Sequence, residues 1–381
     1  MLSAAIGMLC LVSLAYVAFT VMRVAAFGRR ARPVPRATPP VTVLKPVCGL
    51  DPELYENLRS FCEQDYPDYQ VLFGVADADD PAVPEVRRLL ADYPDRDLDL
   101  VIDDHLIGVN RKVSNVANLY PRARHDLLLI ADSDMRVGPD YLRSIAAEFD
   151  DPGTGAVTCL YKGRPAGPDL ASALGCAFIN EWFLPSVLVA ATFGDLHYCF
   201  GATMAVRRDL LERIGGFQAL APHLADDYML GRLVSDAGYK VALSPYVVEN
   251  LVSEPGLRGL FRHELRWART VRSVQPLGYS LSAVTHALPV CILYLVVTPA
   301  PWLGVAAVAA ALSLRILMQC VSRRSLHTGV PVRPWLAPLR DLLSFAVWTA
   351  SFFGKDVSWR RHSFQIDHNG HMVLNGHKET L

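Results

Sequence analysis

The sequence predicts an α/β domain on a parallel sheet, held to a membrane by apolar helices on either side of it. Three observations predict it. Strand-like and helix-like segments alternate between residues 38 and 270, the rhythm of a sheet whose strands are joined by helical crossovers. One strand, Leu127 to Ile130, is a continuous aliphatic run and is followed by Asp132 and Asp134; such runs belong to strands buried on both faces. Two apolar blocks, residues 2–22 and 283–320, flank the alternating region and are long enough to cross a bilayer.

Val41 to Leu44 is a short β-branched strand, residues 51–64 read as a helix, Val71 to Val75 as a strand and Pro81 to Tyr93 as a helix. Strand Leu98–Ile102, the segment Ser114–Tyr120 and strand Leu127–Ile130 continue the pattern, and a helix over Pro139–Phe149 follows the two aspartates. Residues 38–275 then form one domain of ordinary size.

No charge interrupts residues 2–22, and Arg23, Arg29, Arg30, Arg32 and Arg36 follow. Basic residues after an apolar stretch mark an uncleaved anchor (residues 1–28) with the following chain on the cytoplasmic side, because a secretory signal carries its positive charge ahead of the stretch. The second block breaks at Thr298-Pro299-Ala300-Pro301 and closes with Arg315, Arg323 and Arg324, so it reads as a two-helix hairpin with arms of bilayer length, returning to the cytosol. Leu342–Gly354 is short for a crossing and reads as interfacial or re-entrant, closing a membrane region over 276–354. The expected location is the inner (cytoplasmic) membrane, multi-pass, with the alternating domain in the cytosol. Residues 355–381, with His362, His368, His371 and His377 at irregular spacing, read as a solvated tail rather than a metal site.

With 37 basic against 38 acidic side chains, no global field draws nucleic acid. Eight cysteines without a Cys-x-x-Cys pair signal neither a zinc site nor a redox pair.

The chemistry gathers where strands end. Asp132 and Asp134, two apart at a strand end, can share a divalent cation, Mg²⁺ or Mn²⁺, which otherwise prefers phosphate oxygens and water; a diphosphate substrate follows. Asp-Ser-Asp also makes a turn or a helix cap. Asp77, directly after a strand, can accept hydroxyls or a base of a donor, or serve the turn Ala76–Pro81 together with Asp79 and Asp80. Asn110-Arg-Lys-Val-Ser-Asn115 offers donors at a helix start, with Lys112 suited to phosphate and Asn115 close by. Phe200-Gly-Ala-Thr203 is small enough for an acceptor to approach the backbone. Asp226 and Asp227 open a helix; crowding and partial burial would raise one of them toward the working pH of a general base, unless they only cap the helix. His263, Arg266 and Trp267 share one helical patch suited to a leaving diphosphate, on a basic helix that also suits a membrane surface. Ala173–Phe193, with Trp182, reads equally as a bilayer-surface guide for a lipid or as a core helix.

Taken together, Lys45-Pro-Val-Cys-Gly-Leu-Asp51, Asn110–Asn115, Ala131-Asp-Ser-Asp134, Thr158-Cys-Leu-Tyr-Lys-Gly163, Phe200–Thr203, Leu224-Ala-Asp-Asp-Tyr228 and His263-Glu-Leu-Arg-Trp-Ala-Arg-Thr270 resemble membrane-bound GT-A glycosyltransferases over residues 40 to 275. Within them the sequence is similar to the ceramide glucosyltransferase group and most so to its hopanoid-biosynthesis branch. The resemblance implies a GT-A fold, inversion at the anomeric carbon, a UDP-sugar donor and a membrane lipid acceptor, either a hopanoid (with N-acetylglucosamine as the sugar) or ceramide (with glucose). It assigns Asp77 to the uridine, Asp132 and Asp134 to the metal, Asp227 as the base, and His263, Arg266 and Trp267 to the diphosphate and acceptor. Processive polysaccharide synthases carry Gln-x-x-Arg-Trp where this chain has His263 first, which disfavours polymer synthesis; a processive synthase subunit needing a partner and a non-catalytic lipid-binding scaffold are the remaining alternatives.

Overall fold

The computed structural model describes residues 1–354 and the strands 356–359, 362–366 and 372–374. The chain divides into two compact units: residues 31–161 with 194–251, and residues 1–30 with 162–193 and 252–381.

The first unit is the sheet unit. Strands β1 (Val41–Pro46), β2 (Tyr69–Val75), β3 (Leu98–Ile102) and β4 (Leu127–Ile130) run parallel in the order β3-β2-β1-β4. Helices α2 (Leu54–Cys62), α3 (Ala82–Asp92) and α4 (Arg111–Leu119) connect them. Val43, Phe73 and Leu129 are fully buried in this sheet, as their uninterrupted apolar runs require. Register aligns the strand ends: Leu44 lies opposite Ile130, and Pro46 opposite Gly74. Residues that follow β1, β2 and β4 therefore emerge along one edge, where ligands of such sheets collect.

Beyond β4 the sheet departs from the all-parallel expectation. β7 (Met204–Arg207) pairs antiparallel with β4, and β6 (Thr154–Pro165) antiparallel with β7. β8 (Lys240–Val252) follows in the order, and the two-residue β5 (Met135–Arg136) pairs antiparallel with it. β8 alternates buried and half-buried positions along much of its length, the mark of a strand with one face less covered, which antiparallel strands tolerate. The sheet is thus mixed. Helix α4 starts at Arg111, earlier than the Ser114 read from periodicity, because Asn110 caps it, its side chain accepting from Val113 N at 3.1 Å. Helix α5 (Tyr141–Glu148) follows β5.

The second unit is helical. Helix α1 (Leu2–Phe27), the continuous helical stretch Leu170–Phe193 and α14 (Pro301–Ser325) are each long and apolar enough to cross a membrane. Leu170–Phe193 comprises α6 (Leu170–Phe178), a π-helical turn at Ile179–Phe183 and α7 (Leu184–Phe193). The hairpin differs from expectation in its first arm. α13 (Ala287–Val297) has only 11 residues and is bent by 62° from the preceding helical segment Pro276–Thr285; with that segment it makes a broken span or a re-entrant loop. His286 and Pro289 interrupt the apolar ladder there. Gly304 lets α14 approach α13 closely, since a Cβ there would stand 2.5 Å from Leu295 Cα.

Helix α15 (Leu336–Ser351) has 16 residues, about 24 Å at 1.5 Å per residue and so shorter than a bilayer core. Its Arg340 makes two 2.7 Å bonds to Glu264 on α11 (Leu257–Val274), both side chains being 2% exposed. Next to it Asp341 accepts from Arg315 Nε of α14 at 2.9 Å. Removing one partner of such a pair strands a buried charge. Arg340→Ala is therefore expected to cost about 3–5 kcal/mol of unfolding free energy, and Arg340→Met with Glu264→Leu much less; unfolding of the purified variants by denaturant checks both. The sequence pattern did not predict the strands Asp356–Trp359, His362–Ile366 and Met372–Leu374, which pair antiparallel. His368, His371 and His377 lie outside the described residues, as do Lys355, Arg360 and Arg361.

Candidate active site

At the aligned strand edge, Asp132 and Asp134 follow β4 directly. Asp132 Oδ1 meets Lys112 Nζ at 2.7 Å, and the same ammonium reaches Asp226 Oδ2 at 3.4 Å. Burial alone would lower the pKa of Lys112, but Asp132, Asp226 and Asp227 outweigh it and hold the ammonium charged, above its ordinary range. Asp134 Oδ2 accepts from Asn250 Nδ2 at 2.9 Å, and Ser133 between the two aspartates donates to Asp51 at 2.7 Å. Burial, with Asp132 and Asp51 adding like charge, pushes Asp134 up to about 7. Beneath them the buried Lys45 of β1 donates to the Asp132 carbonyl and lies 3.5 Å from the centre of the Phe61 ring. Its burial lowers the ammonium to about 7 against the pull of Asp134 and Asp132.

The paired acids open α10 (Asp226–Asp236), for which Ala225 is the N-cap residue. Neither acid caps the helix, so the capping alternative does not describe them. Asp227 Oδ2 accepts Gly201 N at 3.0 Å and Oδ1 accepts Tyr228 N at 2.8 Å. Burial, then the neighbouring Asp226, raise Asp227 to about 6, which places its titration where a general base works. Gly231, one turn further on, lets the backbone of Tyr198 and Cys199 lie against α10, because a Cβ there would sit 2.3 Å from Tyr198 Cα. Cys199 N donates to the Asp227 carbonyl at 3.1 Å, and two residues later the chain reaches Gly201.

Gly201 is where the groups converge. A Cβ built on it would lie 2.9 Å from Asp132 Oδ2, 3.3 Å from Lys112 Nζ and 3.7 Å from Asp227 Oδ2. Three side chains from three separate sequence segments thus surround one point. Gly201→Ala is expected to displace them and to lower turnover about 10²-fold, as ångström-scale misplacement does, with the melting temperature little changed; steady-state rates beside a thermal melt check it.

Other predicted residues lie differently. Asp77 follows β2 at the same edge, exposed, with Oδ1 accepting Asp79 N at 2.9 Å in an Asx turn. Asp80 accepts Gly49 N at 2.9 Å and Ala82 N at 2.8 Å, the structural role expected of it. Asn115 is buried, its Nδ2 donating to the Gly74 carbonyl at 2.9 Å. It joins α4 to β2. Asn110 donates to His223 O at 2.9 Å and to Asp226 at 3.4 Å, fixing the approach to α10.

His263, Arg266 and Trp267 lie on α11 in the helical unit. His263 Nδ1 pairs with Glu254 Oε1 at 2.7 Å and its ring lies 4.2 Å from that of Trp267, which stacks on Phe178 at 6.0 Å. Helical spacing thus places His263 and Trp267 on one face, as read from the sequence. Sequence reasoning gave no individual role to Lys45 or Asp51; it read Gly201 only as part of a small-residue stretch open to an acceptor, and Asp226 only as the partner of Asp227 in a pair from which one base would come. Lys45 carried the one signal available, a lysine inside a buried strand.

Among the described residues no group of three His, Cys, Asp or Glu side chains is placed to hold a metal ion. The strand edge nonetheless fits one. Asp132, Asp134 and Asp51 crowd like charge that pushes a carboxyl up, and a divalent ion relieves that repulsion while taking its other ligands from phosphate and water.

Residues 5–372 match the protein family described as Glycosyl transferase family 21. Among curated relatives, ceramide glucosyltransferase 3 of Caenorhabditis elegans is 28% identical over 234 residues, 61% of this chain and 50% of the relative. Ceramide glucosyltransferase of Candida albicans is 35% identical over 117 residues, 27% of this chain and 21% of the relative. The chain spans about half the length of the first of these. Among solved structures, the mannosyltransferase PcManGT of Pyrobaculum calidifontis, in complex with GDP-Man and Mn²⁺, superposes with a TM-score of 0.55 at 22% identity, covering 93% of this chain and 99% of that one. That likeness is one of fold, the GT-A arrangement.

Proposed function

The chain belongs to glycosyl transferase family 21, and on that premise we propose that it transfers a sugar from a nucleoside-diphosphate donor to the hydroxyl of a membrane lipid, with inversion at the anomeric carbon. The observation that carries the reading is the convergence of Asp132, Lys112 and Asp227 around Gly201. A base and a phosphate-side cation a few ångströms apart are what in-line displacement at a sugar carbon needs.

In this reading the lipid oxygen attacks the anomeric carbon, the bond from that carbon to the diphosphate breaks, and the hydroxyl proton passes to Asp227. Negative charge grows on the departing phosphate, where Lys112 stabilises it. Asp132 and Asp134 would hold Mg²⁺ or Mn²⁺, which supplies Lewis-acid stabilisation of the diphosphate when bound. Asp77, which follows β2, would accept from the nucleoside, the role that the sequence resemblance implies. His263, Arg266 and Trp267 take the diphosphate and acceptor roles that the sequence resemblance implies. Asn115 supports α4 and, through it, Lys112.

Sequence likeness to the hopanoid branch favours UDP-N-acetylglucosamine as donor and bacteriohopanetetrol as acceptor. The curated relatives, named as ceramide glucosyltransferases, favour the second reading, UDP-glucose and ceramide. The basic residues after α1 favour the cytosolic face of the inner membrane for the sheet unit. Release of UDP, measured with each donor and each acceptor lipid in the presence and absence of Mn²⁺, tests the proposal. Glycolipid formed with one equivalent of UDP supports it; polymeric product, or no UDP release with any pair, overturns it.

A further inference from the structure

We infer that Lys45 is a positioning residue: from inside the sheet its side chain holds the Asp132 carbonyl and so fixes the turn that presents Asp132 and Asp134 to one divalent cation. The inference rests on the metal-assisted transfer proposed above and names the group that sets its ligands.

Lys45 is the sole charged residue of β1, a strand buried at every position, and is itself 0% exposed. Alternate strand positions share a face, so Lys45 continues the face of Val41 and Val43, which pack in one apolar core with Leu58 and Phe61 of α2. The pattern asks for another aliphatic side chain there. A lysine is almost never fully buried unless it is paired with an acid. Among the described residues this one makes no salt bridge; its ammonium meets the Asp132 carbonyl and the face of the Phe61 ring. Packing alone does not account for it.

What the lysine supplies is a hold on the turn. The Asp132 carbonyl accepts Met135 N at 3.3 Å, which closes the turn Asp132–Met135, and its second lone pair takes the Lys45 ammonium. Other ties come from Asp51, which accepts from Ser133 at 2.7 Å, and from β8, where Asn250 donates to Asp134 Oδ2 at 2.9 Å and Leu251 N to the Asp134 carbonyl at 3.2 Å. Lys45 anchors the turn to β1, a strand paired on both edges. Met135 N closes the turn without it, so folding has no need of the ammonium, whereas the ligand positions do. Outer partners that orient metal ligands change metal affinity or activity about 10–100-fold when removed. A second effect opposes this one: an ammonium repels a cation held nearby, so loss of the charge alone would tighten binding. The sign of the change separates the two.

The experiment measures Mn²⁺ binding to the full chain in phosphatidylcholine nanodiscs, with UDP present throughout, from the electron paramagnetic resonance of the free ion, beside a thermal melt. Lys45→Met, which keeps the length of the side chain and removes the ammonium, is expected to bind Mn²⁺ about tenfold more weakly or worse. Its melting temperature should be equal or higher, since a neutral apolar side chain suits the buried face. Unchanged or tighter Mn²⁺ binding overturns the inference. A lower melting temperature with binding intact does so too, because it assigns Lys45 to the fold. Lys45→Leu carries the test if Lys45→Met does not fold, and failure of both to fold overturns the inference in the same way. A wild type that binds no Mn²⁺ overturns the metal reading of the site and this inference with it; wild-type binding that Lys45→Met leaves unchanged overturns this one alone.

Discussion

Asp227→Asn is expected to lower turnover by about 10²–10⁴, the range set by loss of a positioned general base, while the protein stays folded. The stability expectation follows from two opposed effects. Burial and Asp226 raise the Asp227 carboxyl from 3.8 to about 6, so its ionised form destabilises the fold by up to about 3 kcal/mol, a penalty fully present above about pH 6 and fading as the pH falls through 6 toward the unfolded value. Asparagine removes that penalty. It also replaces one acceptor oxygen by an amide that cannot take the N–H of Gly201 or Tyr228, which returns about 1–3 kcal/mol. The two nearly cancel. Equal melting temperatures with lost turnover would mark chemistry; a large drop in melting temperature would mark a structural role. The pH profile is the companion measurement. In the wild type kcat/KM should fall about tenfold per unit below pH 6 and flatten above it, because the base must be deprotonated to accept the hydroxyl proton; a profile flat from pH 5 to 8 removes Asp227 from that role.

The second large effect concerns the strand-end carboxylates. Removing divalent cations with a chelator is expected to lower turnover about 10²–10³-fold or more, since the charge developing on the diphosphate then loses its strongest stabiliser, and Mn²⁺ or Mg²⁺ should restore it. Asp134→Asn should show the same loss with no rescue by added metal. It should not unfold the protein, because the carboxyl it replaces is already pushed up to about 7 by burial and by Asp132 and Asp51; neutralising it removes repulsion, and Asn can still accept from Asn250. Activity indifferent to chelation would overturn the metal assignment.

Much of this was legible in the sequence because it rests on local chemistry. The runs Val71–Val75 and Leu127–Ile130 are strands for the reason read from them, both faces being covered. Asp132 stands at a strand tip because an aliphatic run ends just before it, and His263 and Trp267 share a face because four residues make a helical turn. What escaped depends on partners distant in the chain. Nothing around Gly201 says that Asp132, Lys112 and Asp227 will meet there; that follows from Gly231 admitting the backbone of Tyr198. Asn115, next to a useful lysine in sequence, turns on the helix to the Gly74 carbonyl. The antiparallel half of the sheet was hidden because the pairing of β6, a long and mostly buried strand, and of β8, a long strand with one face less covered, depends on the rest of the sheet. The shortened first arm of the hairpin was hidden because hydropathy registers composition and not the 62° bend before Ala287.

The buried acid–base ladder of α15 has a consequence for biogenesis. Arg340 and Asp341 adjoin on this helix, and each would cost about 2.5–3.5 kcal/mol if placed alone in hydrocarbon. Their counter-charges, Glu264 and Arg315, are on segments that leave the ribosome earlier. The helix thus has no favourable resting place in lipid without those partners, and its seat is fixed by charge pairing rather than by its own greasiness.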